Sequence, residues 1–120
     1  MLCAMRLLCV IVDDNLPFLR ISRSMLERQG LTVVGIASTG AEALALASSL
    51  HPDIALVDIS LGDESGFDVA RQLGTLVGKV IMISSHAEDD YAELIASSPA
   101  VGFLSKTALS ADAIRELMIS

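Results

Sequence analysis

Basic residues are scarce in this 120-residue chain: eight Lys and Arg stand against fifteen Asp and Glu, a formal net charge of -7. That sign argues against a protein that grips DNA or RNA phosphates by itself. Cysteine is nearly absent. Cys3 and Cys9 form neither a disulfide framework nor a metal-ligand spacing, and Cys9 lies in an apolar run where a free thiol behaves as a small hydrophobe. This usage points to a reducing cytoplasm. Long hydrophobic runs are also missing, although mean hydropathy is +0.61 and 52% of residues are apolar. Leu7–Val12 is interrupted at once by Asp13 and Asp14, so no segment is long enough to cross a bilayer. Met1–Val12, with Arg6 inside it, faintly resembles a signal peptide. Its apolar core is too short, and two carboxylates occupy the place of a cleavage site, so it reads as a strand. There is no repeat, low-complexity tract or Gly/Ser linker. One domain over residues 1–120 is therefore expected, able to fold without disulfides or a structural metal.

What is present is an alternation of short β-branched runs with longer segments of helical period, five times over. Strands are expected at Leu7–Val12, Thr32–Ile36, Ile54–Val57, Val80–Ile83 and Val101–Leu104. Most are apolar throughout, as strands buried on both faces of a parallel sheet are. A first helix presents Phe18, Ile21, Met25 and Leu26, with Pro17 in its first turn and Gly30 at its stop. Thr39-Gly40-Ala41-Glu42 has capping-box spacing and opens a second helix carrying Leu44, Ala47 and Leu50 inward until Pro52. A third runs from Gly66 to Leu73, a fourth follows Glu88-Asp89-Asp90 and ends before Pro99, and the last covers Ala111–Ile119. The expected fold is a doubly wound (βα)5 α/β domain of flavodoxin-like type. Such sheets bind ligands beyond the carboxyl ends of their strands.

Asp13 and Asp14 follow the first strand, Asp58 the third, Ser84 and Ser85 the fourth, and Lys106 the fifth. Three converging carboxylates repel one another unless they share a cation, and an oxygen-only donor set suits Mg2+. Lys106 adds a positive point charge and Ser84 a hydroxyl, a pocket suited to a phosphoryl group beside the metal. Asp58 is then the carboxylate placed to accept it. His51 and His86 read as surface or loop residues without a catalytic partner.

Val10-Ile11-Val12-Asp13-Asp14-Asn15, Leu56-Val57-Asp58-Ile59-Ser60-Leu61 with Ser65-Gly66, Ile81-Met82-Ile83-Ser84-Ser85 and Gly102-Phe103-Leu104-Ser105-Lys106 resemble, in order and spacing, the receiver domain of bacterial two-component response regulators. The resemblance covers essentially the whole chain. It implies a CheY-like sheet of order 2-1-3-4-5 and a cytoplasmic phosphorelay switch in which a sensor histidine kinase phosphorylates Asp58. It further implies Mg2+ held by Asp14, Asp58 and the Ser60 carbonyl, with Asp13 acting through water. Lys106 would pair with the phosphoryl group, and Ser84 would turn toward it while Phe103 rotates inward. That movement would alter the face made by the fourth helix, fifth strand and fifth helix, through which a homodimer would form.

Four departures are visible, one of them an Asp58-to-Ser84 spacing slightly shorter than usual, consistent with trimming around Gly74 to Gly78. Thr107 replaces a common Pro, as in receivers joined to LuxR-type DNA-binding domains. Gly62-Asp63-Glu64 replaces a Pro-Gly-Met type of loop and adds two carboxylates near the site. Phe103 lacks the hydroxyl of the more usual Tyr, leaving packing alone to drive a switch. The run Gly102–Leu109 favours a regulator whose C-terminal helix-turn-helix lies outside this chain, with transcriptional output through it or a partner.

Other readings keep the fold. A haloacid-dehalogenase-type phosphatase also uses an Asp nucleophile, but its Asp-x-Asp motif is broken by Ser60. A flavodoxin-like FMN carrier lacks its phosphate loop after Val12. A phosphorylation-independent dimerisation module would not require the acidic set with Lys106.

Overall fold

Strands that are apolar at every position are stable only when both faces are covered. The computed structural model, which describes residues 7–86 and 90–119, covers them. Along the chain run β1 (Leu8–Val12), α1 (Leu16–Arg28), β2 (Thr32–Ala37), α2 (Gly40–Leu50), β3 (Ile54–Asp58), α3 (Gly66–Leu73), β4 (Lys79–Ser84), α4 (Ala92–Ala96), β5 (Gly102–Ser105) and α5 (Ala111–Met118). The five strands form one parallel sheet in the order β2-β1-β3-β4-β5, as expected.

Alternate side chains of the central strands feed two separate cores. Val10, Val12, Ala55, Val57, Val80 and Met82 join the cluster that includes α2 and α3. Cys9, Ile11, Ile54, Leu56, Ile81 and Ile83 join the cluster that includes α1 and α5. Each fully buried Leu or Ile contributes roughly 1.5–3 kcal/mol relative to exposure, so the central strands anchor the domain. Burial pushes the Cys9 thiol up to about 12, which makes it an inert core residue.

The helix ends follow local chemistry. Asn15 Oδ1 accepts the Phe18 N–H and caps α1, and Pro17 fits the first turn. Thr39 Oγ1 accepts the Glu42 N–H, while Glu42 reaches back to the Ser38 N–H, one residue before the usual capping-box partner. Gly30 adopts φ +99 beyond α1, a conformation that side chains rarely tolerate. The neighbouring Gln29 ties α1 to α5: its Oε1 accepts the Ala111 N–H at 2.7 Å, and its carbonyl accepts from Arg115 Nη2 at 3.3 Å.

Several expectations are corrected. Ile21 is 69% exposed, and α1 instead buries Leu19, Ser22 and Leu26, the rows that the helical period brings over the sheet. Ser22 is accommodated because its hydroxyl donates to the Phe18 carbonyl at 2.6 Å. In α2, Ala43 and Ala47 face inward while Leu50 is exposed, since close helix–sheet approach selects the small residues. The fifth strand is shifted by one residue, to Gly102–Ser105. The fourth helix is only Ala92–Ala96 and buries no residue. The proposed capping residues Glu88 and Asp89 lie outside the described residues, as does Cys3.

The connection after β3 folds as a two-residue antiparallel hairpin, Ser60–Leu61 against Glu64–Ser65, turning through Gly62 at φ +62. The Glu64 carboxylate is not spare charge for the neighbouring acidic residues: it accepts the Gly40 N–H at 3.0 Å, at the start of α2. Gly66 follows, its N–H donating to the Ile59 carbonyl at 2.7 Å. A Cβ there would lie 1.9 Å from the Asp58 carbonyl oxygen and 2.8 Å from Ile59 Cα. Only glycine permits this approach without moving the end of β3. Gly66→Ala should lower the unfolding free energy by roughly 2–4 kcal/mol. A urea midpoint equal to that of the wild type would show that the strand end shifts freely.

Candidate functional site

β1 and β3 are neighbours in register, Val12 opposite Val57, so the next residues, Asp13 and Asp58, emerge side by side at the carboxyl edge. Asp13 is fully buried and Asp58 is 6% exposed, whereas Asp14 is exposed. Each buried carboxylate is held locally by one backbone donor. Asp13 Oδ1 accepts the Asn15 N–H at 3.0 Å, and Asp58 Oδ1 accepts the Ser60 N–H at 3.1 Å. The other two oxygens face Lys106, whose Nζ lies 2.6 Å from Asp13 Oδ2 and 2.9 Å from Asp58 Oδ2.

Lys106 opens a single 3-10 turn, Lys106–Ala108, immediately after β5. Its ammonium also sits 4.4 Å from the centroid of the Phe18 ring. Burial pulls the Lys106 pKa down, but Asp13 and Asp58 together outweigh it and hold the ammonium above the ordinary lysine range. Asp13 Oδ2 is fully buried, and the Lys106 ammonium is the partner that stabilises it. Such an atom is costly unless an ion shares it. One oxygen from each of Asp13, Asp14 and Asp58 falls within 4.8 Å of the others. This all-oxygen set fits a hard divalent cation.

Ser84, the last residue of β4, is 3% exposed, whereas Ser85 is exposed. Its Oγ accepts the His86 N–H at 3.0 Å, and its neighbour on β5 is Ser105, one residue before Lys106. Ser84 thus stands one residue beyond Ile83, the cross-strand neighbour of Asp58. Phe103 lies opposite Met82 on β5, half-buried against the core cluster that Val80 and Met82 help to form. His51 ends α2 at φ 47 and His86 is exposed, as the sequence reading expects.

Two contributors escape sequence reasoning. Phe18 reads there as one member of an apolar helix face, and its ring under Lys106 is visible only in three dimensions. Glu64 reads as extra charge near the acidic site, whereas it is engaged with α2. An aromatic four residues after Asp14, on the first turn of α1, is the signal that could have drawn attention to Phe18.

The profile of the response regulator receiver domain family matches residues 9–118. Among curated proteins, the transcriptional regulatory protein YvfU of Bacillus subtilis is 35% identical over 112 residues, covering 88% of this chain and 56% of that protein. The chain spans about half the length of several curated relatives. Among solved structures, the signal receiver domain of a modulated diguanylate cyclase from Desulfovibrio desulfuricans is similar at TM-score 0.79 and 30% identity, over 96% of this chain and 92% of that one. A Burkholderia pseudomallei response regulator, solved with a phosphorylated aspartic acid, calcium ion and citrate, is similar at TM-score 0.81 and 26% identity, over 92% and 65%.

Burial pushes the Asp13 carboxyl up from 3.8 to about 6; Asp58 adds to the rise, and Lys106 and the Asn15 N–H oppose it without prevailing. The folded state therefore keeps a proton that the unfolded chain has already released. The associated stability is complete below the unfolded value and is lost as pH rises through about 6. In chelator, the domain should lose on the order of 2 kcal/mol between about pH 4 and pH 7 that Asp13→Asn does not lose. Denaturant titrations of both proteins at the two pH values provide the check; equal losses would contradict the assignment.

Proposed function

Because the chain belongs to the response regulator receiver domain family, we propose that it is a signalling switch whose Asp58 accepts a phosphoryl group from a histidine of a sensor kinase. The observation that carries this reading is the placement of Lys106 Nζ between Asp13 Oδ2 and Asp58 Oδ2, beside a third carboxylate on Asp14. In the transfer, an Asp58 carboxylate oxygen forms a bond to phosphorus as the phosphorus–nitrogen bond of the donor breaks, and the imidazole leaves with the electron pair. Lys106 neutralises charge on the incoming group, and the Ser84 hydroxyl donates to it. The Ser60 N–H keeps the acceptor carboxylate oriented.

Asp14, Asp58 and the Ser60 carbonyl would hold Mg2+, with Asp13 linked through water. The ion supplies charge neutralisation for the phosphoryl oxygens. The convergence of three carboxylates supports such an ion, since their charge exceeds what Lys106 balances alone.

The output face in this reading is α4, β5 and α5. It carries the 53% exposed Leu94, the 40% exposed Val101 and the half-buried Phe103, an apolar surface suited to a second copy of the domain. Residues 1–120 act as one receiver unit, and transcriptional control comes from a segment outside this chain or from a partner. The chemistry is confined to acquiring and losing its own phosphoryl group, in a cytoplasmic setting. Among the described residues, no helix is long and apolar enough to cross a membrane.

With acetyl phosphate and Mg2+, intact-mass spectrometry should show addition of one phosphoryl group. Asp58→Ala should reduce it to background, and chelation of the metal should slow it by at least about tenfold. Undiminished labelling of Asp58→Ala would overturn the acceptor assignment.

A further inference from the structure

Phe18 completes a closed circuit of contacts around the site. Asp13 Oδ1 accepts the Asn15 N–H, and Asn15 Oδ1 accepts the Phe18 N–H, both at 3.0 Å. The Phe18 ring lies under Lys106 Nζ at 4.4 Å, and that same nitrogen returns to Asp13 Oδ2 at 2.6 Å and to Asp58 Oδ2 at 2.9 Å. The backbone that orients Asp13 therefore also sets the height and direction of the ring.

A lysine side chain has four rotatable bonds and a head group that attracts water, so two carboxylates alone do not fix its position. What limits the ammonium on its remaining side is the negative face of an aromatic ring, which attracts a cation while excluding water. The Lys106 side chain is only 16% exposed, a setting in which that attraction counts for more than at an open surface. An aliphatic residue at position 18 would fill the space without supplying the attraction.

We infer that Phe18 is a positioning residue for the chemistry at Asp58: its ring holds the Lys106 ammonium at the height from which it meets both the acceptor carboxylate and the incoming phosphoryl group. The inference rests on the phosphoacceptor reading above. It predicts that the aromatic character of position 18, rather than its volume, governs the phosphorylation rate.

The test compares Phe18→Leu, Phe18→Tyr and Phe18→Trp with the wild type. Phosphorylation by acetyl phosphate in Mg2+ is followed by mass spectrometry, and thermal unfolding monitors the fold. NMR of the Lys106 ε-methylene protons reports ring contact directly, because an aromatic ring shifts them upfield. Phe18→Leu should remain folded, lose the upfield shift and phosphorylate roughly fivefold more slowly. The Tyr and Trp variants should retain the shift and stay within about twofold of the wild type. A Leu variant as fast as the wild type would overturn the inference, as would Tyr and Trp variants as slow as Leu. If the Leu variant unfolds, Phe18→Met replaces it with the same expectation. Failure of the underlying reading looks different: the wild type itself would take no phosphoryl group, or Asp58→Ala would take it equally.

Discussion

A lysine ammonium held between two buried carboxylates is the interaction around which this domain is arranged. Asp13 and Asp58 end adjacent strands, and two such charges side by side in a medium of low polarizability would drive β1 and β3 apart at that edge. Lys106 makes the pairing tolerable, and it can do so only because β5 delivers it from the far side of β4. One cation leaves two of the three carboxylate charges unbalanced, so the site retains a capacity for positive charge. Its remaining demand for positive charge and its cluster of acceptor oxygens are two aspects of the same electrostatic imbalance.

The apolar interior makes this imbalance sustainable. Aliphatic strands feeding a core on each face hold the strand ends at fixed separations, so side chains that repel one another do not relax by moving apart. Gly66 shows how tight the arrangement is, since its backbone lies where any side chain would collide with the Asp58 carbonyl. The hairpin between them is secured at its far end by Glu64 against the first turn of α2.

Much of this was legible from residue order. Runs such as Leu56-Val57 and Ile81-Met82-Ile83 announce strands covered on both faces, and the polar residue after each announces the edge where chemistry collects. The choice between Ser84 and Ser85 turned on a register that sequence fixes only to within a residue; Ser84 ends β4 buried, and Ser85 is exposed. Helix faces were less legible. Ile21 resembles a core residue by type and Ser22 does not, but helical phase relative to the sheet decides burial, and a serine can satisfy its hydroxyl within its own helix. The roles of Glu64 and Phe18 were hidden for another reason. Each acts on a partner at least 24 residues away, the first through Gly40 and the second through Lys106, and local patterns carry no information on such pairs.

The tie made by Gln29 gives the domain a mechanical asymmetry. With one amide oxygen capping α5 and the adjoining carbonyl gripped by Arg115, α1 and α5 form a stiff slab against one face of the sheet. Across β5 lies α4, five residues long with no side chain fully buried. The carboxyl edge is therefore flanked on one side by a cross-linked helix pair and on the other by a short helix without a buried anchor. The two sides of β5 thus differ in how their helices are anchored, independently of any ligand.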